Sequence, residues 1–139
     1  MKLALVVHNA PGDSMMCGGM GGPMMGVAVS NLDISVTKGT SGVVVFSEKQ
    51  VTTDQPEYPC IKCAACVDAC PLSLNPSKLG ILATNEAYDL MADEYHLMDC
   101  FECGSCSYVC PSHIPLVQYF RISKSIVRKR AAKKQLTNA

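Results

Sequence analysis

Eight cysteines carry most of the chemistry this sequence can do. Residues 60–71 read CIKCAACVDACP and residues 100–111 read CFECGSCSYVCP, so Cys60, Cys63, Cys66, Cys70 and Pro71 return forty positions later as Cys100, Cys103, Cys106, Cys110 and Pro111. A cubane iron–sulfur cluster has four irons, each needing one outside ligand, and thiolate is its preferred donor. Three cysteines spaced by two residues let one loop wrap three corners of a cube, with the intervening amides free to point at the sulfurs. The fourth ligand must come from another direction. In two-cluster ferredoxins the cysteine before the proline serves the other cluster. That rule predicts one [4Fe–4S] cluster on Cys60, Cys63, Cys66 and Cys110, and a second on Cys100, Cys103, Cys106 and Cys70. The duplication then has a mechanical reason, because each copy completes its neighbour's site.

Two rival uses of cysteine fit less well. Structural zinc sites read as two separated CxxC pairs, whereas each run here has three cysteines at two-residue gaps and a fourth before proline. A disulfide framework calls for a secretory context. The start of the chain, MKLALVVHNAPG, has an apolar run of only five residues before His8, short of the roughly 7–15 of a signal peptide. No stretch approaches the ~18 apolar residues of a membrane span. The expectation is a chain kept in a reducing cytosol.

The remaining polar candidates have plainer readings. Cys17 stands outside both runs and reads as a buried thiol. His113 reads as helix-start packing, and His8 and His96 have no partner pattern. Asp68, Asp99 and Glu102 read as solvated or capping residues, and no side chain is assigned acid–base work. Ile61, Val67, Phe101, Tyr108 and Val109 suit a shielded cluster, with Ala64, Ala65 and Gly104 small enough for close sulfur contact. The methionines at 15, 16, 20, 24 and 25 suit adaptable packing.

Two kinds of element must position the thiols. Residues 1–55 form a β-rich segment in which LALVV, GVAVS and GVVVFS are short strands bounded by turn formers. CGGMGGPMMG at 17–26 matches no phosphate-loop pattern and reads as turn and tight packing. TTDQPEYP at 52–59 separates this segment from residues 56–135, a helical two-cluster ferredoxin-type region ending in a basic helix. Asn75–Pro76 reads as a cap and first helical residue, and Leu79, Leu82, Ala87, Leu90, Met91, Leu97 and Met98 follow at helical spacing. Ser112 is the expected cap of a last helix over about 114–133, with Leu116, Phe120, Ile126 and Val127 as its apolar stripe. The fold class is α+β.

Formal net charge is zero, so bulk electrostatics select no partner and nothing points to nucleic acid. Seven basic residues fall between Arg121 and Lys134. They suit a solvated helix end, where cations complement the dipole; contact with anionic lipid or an acidic partner is the alternative.

GGPMMG at 21–26, KGTSGVVVF at 38–46, PCIKC at 59–63, ACPLSLNPSKL at 69–79 and ECGSCSYVCPSHIPLVQYFR at 102–121 occur in that order. In this the chain resembles the C-terminal part of the C subunit of the Rnf electron-transport complex, over about residues 17–128. The resemblance implies a cytoplasmic subunit, peripheral on the inner face of the membrane and without a transmembrane segment. It implies a place in an ion-pumping ferredoxin–NAD oxidoreductase, with the other subunits and a soluble carrier such as ferredoxin as partners. It also implies that the eight repeat cysteines are the ligands and that the cluster region is of the helical ferredoxin type. Members of the family have a flavin- and nucleotide-binding domain ahead of this region. FMN and NAD are therefore expected only in the full-length protein, residues 1–55 correspond to the tail of that larger β-region, and this stretch alone is not expected to oxidise NADH. A cobalamin-reductase-like iron–sulfur flavoprotein is the alternative reading.

Overall fold

A computed structural model describes residues 15–22, 24–29, 35–47 and 56–137. The chain is α+β and divides into two compact units between Gln55 and Pro56.

The first unit is a three-stranded antiparallel sheet in the order β2–β1–β3, with β1 at Met15–Met20, β2 at Val27–Val29 and β3 at Val43–Ser47. GVAVS and GVVVFS thus supply strands; LALVV and His8 lie outside the described residues, as does the side chain of Cys17. The glycine-rich stretch departs from expectation, because its first part is the central strand instead of turn. Glycine is a poor strand former, but β1 is paired on both edges, Met20 opposite Val27 on one side and Val43 on the other. The turn proper follows. Gly21 adopts φ +107, and the Gly26 amide donates to the Gly22 carbonyl at 2.7 Å. A Cβ on Gly26 would lie 2.6 Å from the Gly22 oxygen and 2.9 Å from that of Met20, so this turn excludes any side chain. Met24, Met25 and Val27 are about half exposed or more, and every buried hydrophobic residue among those described belongs to the second unit.

The second unit runs α1 (Ala65–Asp68), α2 (Pro76–Thr84), α3 (Tyr88–Asp93), a 3-10 turn (Leu97–Asp99), α4 (Ser105–Tyr108) and α5 (Leu116–Thr137). The cysteine repeat is a backbone repeat as well. Left-handed residues recur at the forty-residue period: Lys62 with Glu102, Ala64 with Gly104, Ser73 with His113. So do the tight turns. Cys70 N–H donates to Val67 O as Cys110 does to Ser107 O, and Ser73 N–H donates to Cys70 O as His113 does to Cys110 O. Each copy is a coiled run, one turn of helix, a Cys-Pro exit and a longer helix.

Asn75 caps α2 as its residue type suggests, its Oδ1 accepting from the Lys78 amide at 3.0 Å with Pro76 in the first turn. Leu79, Leu82, Met91 and Leu97 then bury against Leu116, Val117 and Phe120 of α5. The apolar spacing does not mean one continuous face, since Leu90 is 38% and Met98 40% exposed. The chain breaks at Asn85–Ala87, with Glu86 at φ 55, and again before the 3-10 turn, which rotates these two side chains outward. Ser112 does not cap α5. Its Oγ donates to the Pro59 carbonyl at 3.0 Å, and the start of α5 is instead satisfied by Ser107 Oγ, which accepts from Val117 N–H at 3.0 Å.

Leu79 is fully buried, so Leu79→Ala is expected to destabilise the second unit by about 2–5 kcal/mol. Ile81→Ala, on the more exposed side of the same helix, is expected to cost less than about 1 kcal/mol. Chemical denaturation followed by far-ultraviolet circular dichroism compares them.

Candidate functional site

The eight repeat cysteines gather into two groups of four, around two separate cavities of the second unit. Cys60, Cys63, Cys66 and Cys110 line the first, a cavity of about 230 Å³. Cys70, Cys100, Cys103 and Cys106 line the second, about 20 Å³. Each cavity therefore takes three thiols from one run and the fourth from the other.

Local geometry explains the exchange. Within a run, the left-handed residue before the short helix turns the chain so that the thiols converge. Ala64 does this at φ 64 and Gly104 at φ 88. The helices are only four residues long, and proline follows the fourth cysteine, so that cysteine leaves in a different direction. Two hydrogen bonds then fasten the end of the second copy to the entrance of the first: Tyr58 N–H donates to Ser112 O at 3.0 Å, and Ser112 Oγ donates to Pro59 O. They hold Cys110 beside Cys60.

The walls differ. Apart from its thiols, the second cavity is lined by Leu74, Pro76, Leu79, Gly104, Val117 and Phe120. The first includes Ser77, Thr84 and Lys62, and its Cys60 and Cys63 are exposed. Ile61, Phe101 and Tyr108, expected to shield the sulfurs, are instead 67%, 54% and 78% exposed. Ile61 still lines the first cavity with its remaining surface, Val67 packs against the core, and the second cavity is closed by the helix residues Leu79, Val117 and Phe120. His113 serves the backbone turn with φ 54. His96 is exposed with its Nδ1 3.8 Å from Asp99.

Burial pushes the Cys66 thiol up, and Cys110, Cys60 and Cys63 add to this by like-charge repulsion. Burial likewise pushes Cys106 up to about 11, with Cys100 and Cys103 adding to it. Cys100 is also raised by burial, with the Glu102 backbone amide and the Lys124 charge pulling it back. Burial favours the protonated form of these three thiols; a cation that takes them as thiolates must displace those protons.

The donor set fits an iron–sulfur cubane. Each cavity offers four thiols; the one carboxylate on the first wall, Glu57, accepts from the Tyr119 hydroxyl at 2.7 Å, and the second wall has neither carboxylate nor imidazole. Among the described residues, no three Cys, His, Asp or Glu side chains meet closely enough to hold one metal ion. Four thiols grouped without three of them converging on one point are not the closed tetrahedral set that binds a lone zinc at ≈ 2.3 Å.

Glu102 and its partners gave no sequence signal. Expected to be solvated or capping, Glu102 is half-buried between two cations: Arg121 Nε at 3.0 Å and Lys124 Nζ at 3.1 Å. Burial alone would raise its carboxyl, but hydrogen bonds from Lys124 and Arg121 outweigh that and hold it below the ordinary carboxylate range. Lys124 is itself buried and also donates to the Cys100 carbonyl. Only the forty-residue offset, which puts Lys124 where Thr84 stands in the first copy, hints at the difference.

A family described as a 4Fe-4S dicluster domain matches residues 57–114. The C subunit of the ion-translocating oxidoreductase complex of Pasteurella multocida is 49% identical over 106 residues, covering 76% of this chain and 13% of that protein. The C subunit of the proton-translocating ferredoxin:NAD(+) oxidoreductase complex of Clostridium ljungdahlii is 48% identical over 105 residues, covering 76% and 23%. The C subunit of the ion-translocating oxidoreductase complex of Buchnera aphidicola is 36% identical over 109 residues, covering 78% and 23%. The chain thus spans less than a quarter of the length of these curated relatives.

The raised thiols predict a pH dependence for the metal-free chain. In the unfolded chain the thiol ionises near its ordinary 9.0, while folded Cys106 keeps its proton up to about 11. The stabilising contribution is complete below pH 9 and is lost as pH rises from 9 to 11, because only the unfolded state releases the proton there. Urea denaturation across that range is expected to show falling stability, with a shallower fall for Cys106→Ala.

Proposed function

From homology with the C-terminal portion of the C subunit of Rnf-type ion-translocating oxidoreductase complexes, we propose that this chain is an electron relay carrying two [4Fe–4S] clusters. One is held by Cys60, Cys63, Cys66 and Cys110, the other by Cys100, Cys103, Cys106 and Cys70. The observation that carries the reading is the sorting of the eight cysteines into two four-thiol cavities. When bound, each cluster supplies one-electron chemistry. The chain's own part is to supply thiolates at fixed places, to aim backbone amides at them, as Glu102 N–H is aimed at Cys100, and to keep water from the inner faces with Leu79, Val117 and Phe120. No acid–base residue is needed, because an electron passes without a bond forming or breaking.

The unit from Pro56 onward is the relay. Its partners are the other subunits of a membrane-bound complex and a soluble carrier of the ferredoxin type, with the chain peripheral on the cytoplasmic face. Among the described residues no helix is long and apolar enough to cross a membrane. FMN and NAD belong to the longer protein and not to this stretch.

Purified without oxygen, the chain is expected to contain about eight irons and eight sulfides. Its broad visible absorption should bleach with dithionite, and two reduced-cluster spins should appear by electron paramagnetic resonance. A colourless protein, or one saturating at four irons, contradicts the reading. NADH alone is expected to leave the absorption unbleached; bleaching by NADH would place a nicotinamide site within this chain.

A further inference from the structure

The two thiol sites are built on one repeated backbone but sit in different electrostatic surroundings. The difference lies on the helix that follows each run. In the first copy, α2 presents Ile81 and Thr84 to the first cavity, and Thr84 satisfies its own hydroxyl by donating to the Ile81 carbonyl at 2.8 Å. Forty residues on, α5 carries Arg121 and Lys124 at the same two positions. Lys62, in the first run, is replaced by Glu102 in the second. The second copy therefore carries two cations and one anion around its run, where the first has a neutral helix face, an exposed lysine and the Glu57 carboxylate on its cavity wall.

Lys124 is the unusual member. Its side chain is only 5% exposed, and lysine is almost never so buried unless paired. Its Nζ donates to the Cys100 carbonyl and to Glu102 Oε1. Glu102 is also claimed by Arg121, so Lys124 does not have the carboxylate to itself. An apolar pair of the same volume would serve stability as well or better. Here the lysine is directed at the backbone of the run that supplies Cys100 and Cys103.

The location of this buried lysine has a use. Reduction adds one electron to a site, and so one negative charge. At the first site Cys60 and Cys63 are exposed, and water answers that charge. At the second, Cys100 and Cys103 are withdrawn and the remaining walls are apolar, which disfavours added charge. A buried cation acts there through an effective dielectric about fourfold lower than that of water, whereas exposed Lys62 is screened.

We propose that Lys124 is a positioning residue of the second site, holding the Cys100 turn and supplying the countercharge that keeps the reduction potential of the cluster there from falling away from that of its neighbour. This rests on the two-cluster reading above.

The test is a redox titration of the anaerobically purified full chain, followed by electron paramagnetic resonance, with dithionite as the electron source. The wild type is expected to give two one-electron waves. Lys124→Met should move one wave down, so that at its original midpoint the ratio of reduced to oxidised cluster falls roughly tenfold or more, about 59 mV for one electron. Glu102→Gln, which removes the anion and leaves the cation, should move the same wave up. Lys124→Arg should restore it, and Lys62→Met should move neither. A structural role would alter stability or cluster content without opposite shifts. The inference is overturned if Lys124→Met keeps its iron and both waves stay put, or if Lys124→Met and Glu102→Gln move the wave the same way. Should Lys124→Met fail to load, an unmoved or lowered wave in Glu102→Gln overturns it as well. A wild type lacking two waves would instead defeat the two-cluster reading on which it stands.

Discussion

The second unit depends on an exchange. Each thiol cavity draws three cysteines from one copy of the repeat and the fourth from the other, so neither site exists until the copies are side by side. That requirement accounts for much else. It explains why the helix in each run lasts one turn, since a longer one would carry the fourth cysteine back past the first three. It explains the proline at each exit, which ends the turn and redirects the chain. It explains why Ser112 serves Pro59 and not its own helix: the bond closes one copy onto the other. The buried apolar residues of α2, α3 and α5 form the rigid backing against which both runs are set.

Duplication makes two sites of the same shape, and local substitution then makes them unequal. The backbone repeats closely, left-handed residue for left-handed residue, yet the walls differ in exposure and charge. One site opens to solvent at Cys60 and Cys63. The other is closed by Leu79, Val117 and Phe120 and carries a buried lysine at its back. In the relay proposed above this matters more than the thiol count, because transfer would depend on how each site tolerates an added electron.

The site was the most legible part of the sequence. Ligand spacing is local and period-fixed, so CIKCAACVDACP and its echo, read by the rule for two-cluster ferredoxins, name the same two groups of four thiols that line the two cavities. Asn75–Pro76 was equally readable, because a cap acts over three residues. What the sequence hid was tertiary. Glu102 looks like any surface acid until α5 brings Arg121 and Lys124 to it from about twenty residues away. Phe101 and Tyr108 look like shielding residues, but both are exposed and line neither cavity. The glycines of β1 read as turn because propensity is a weak guide when a strand is paired on both edges. Leu90 and Met98 follow helical spacing, but the break at Glu86 and the 3-10 turn place them outside the core.

The measurement that bears most directly on the exchange is an anaerobic crystal structure of the chain grown with its iron, with anomalous differences collected at the iron edge. The account predicts two four-iron peaks, with Cys110 Sγ bonded to the cluster of Cys60, Cys63 and Cys66, and Cys70 Sγ bonded to that of Cys100, Cys103 and Cys106. A peak in which Cys70 completes the site of its own run, and Cys110 that of its own, would contradict it.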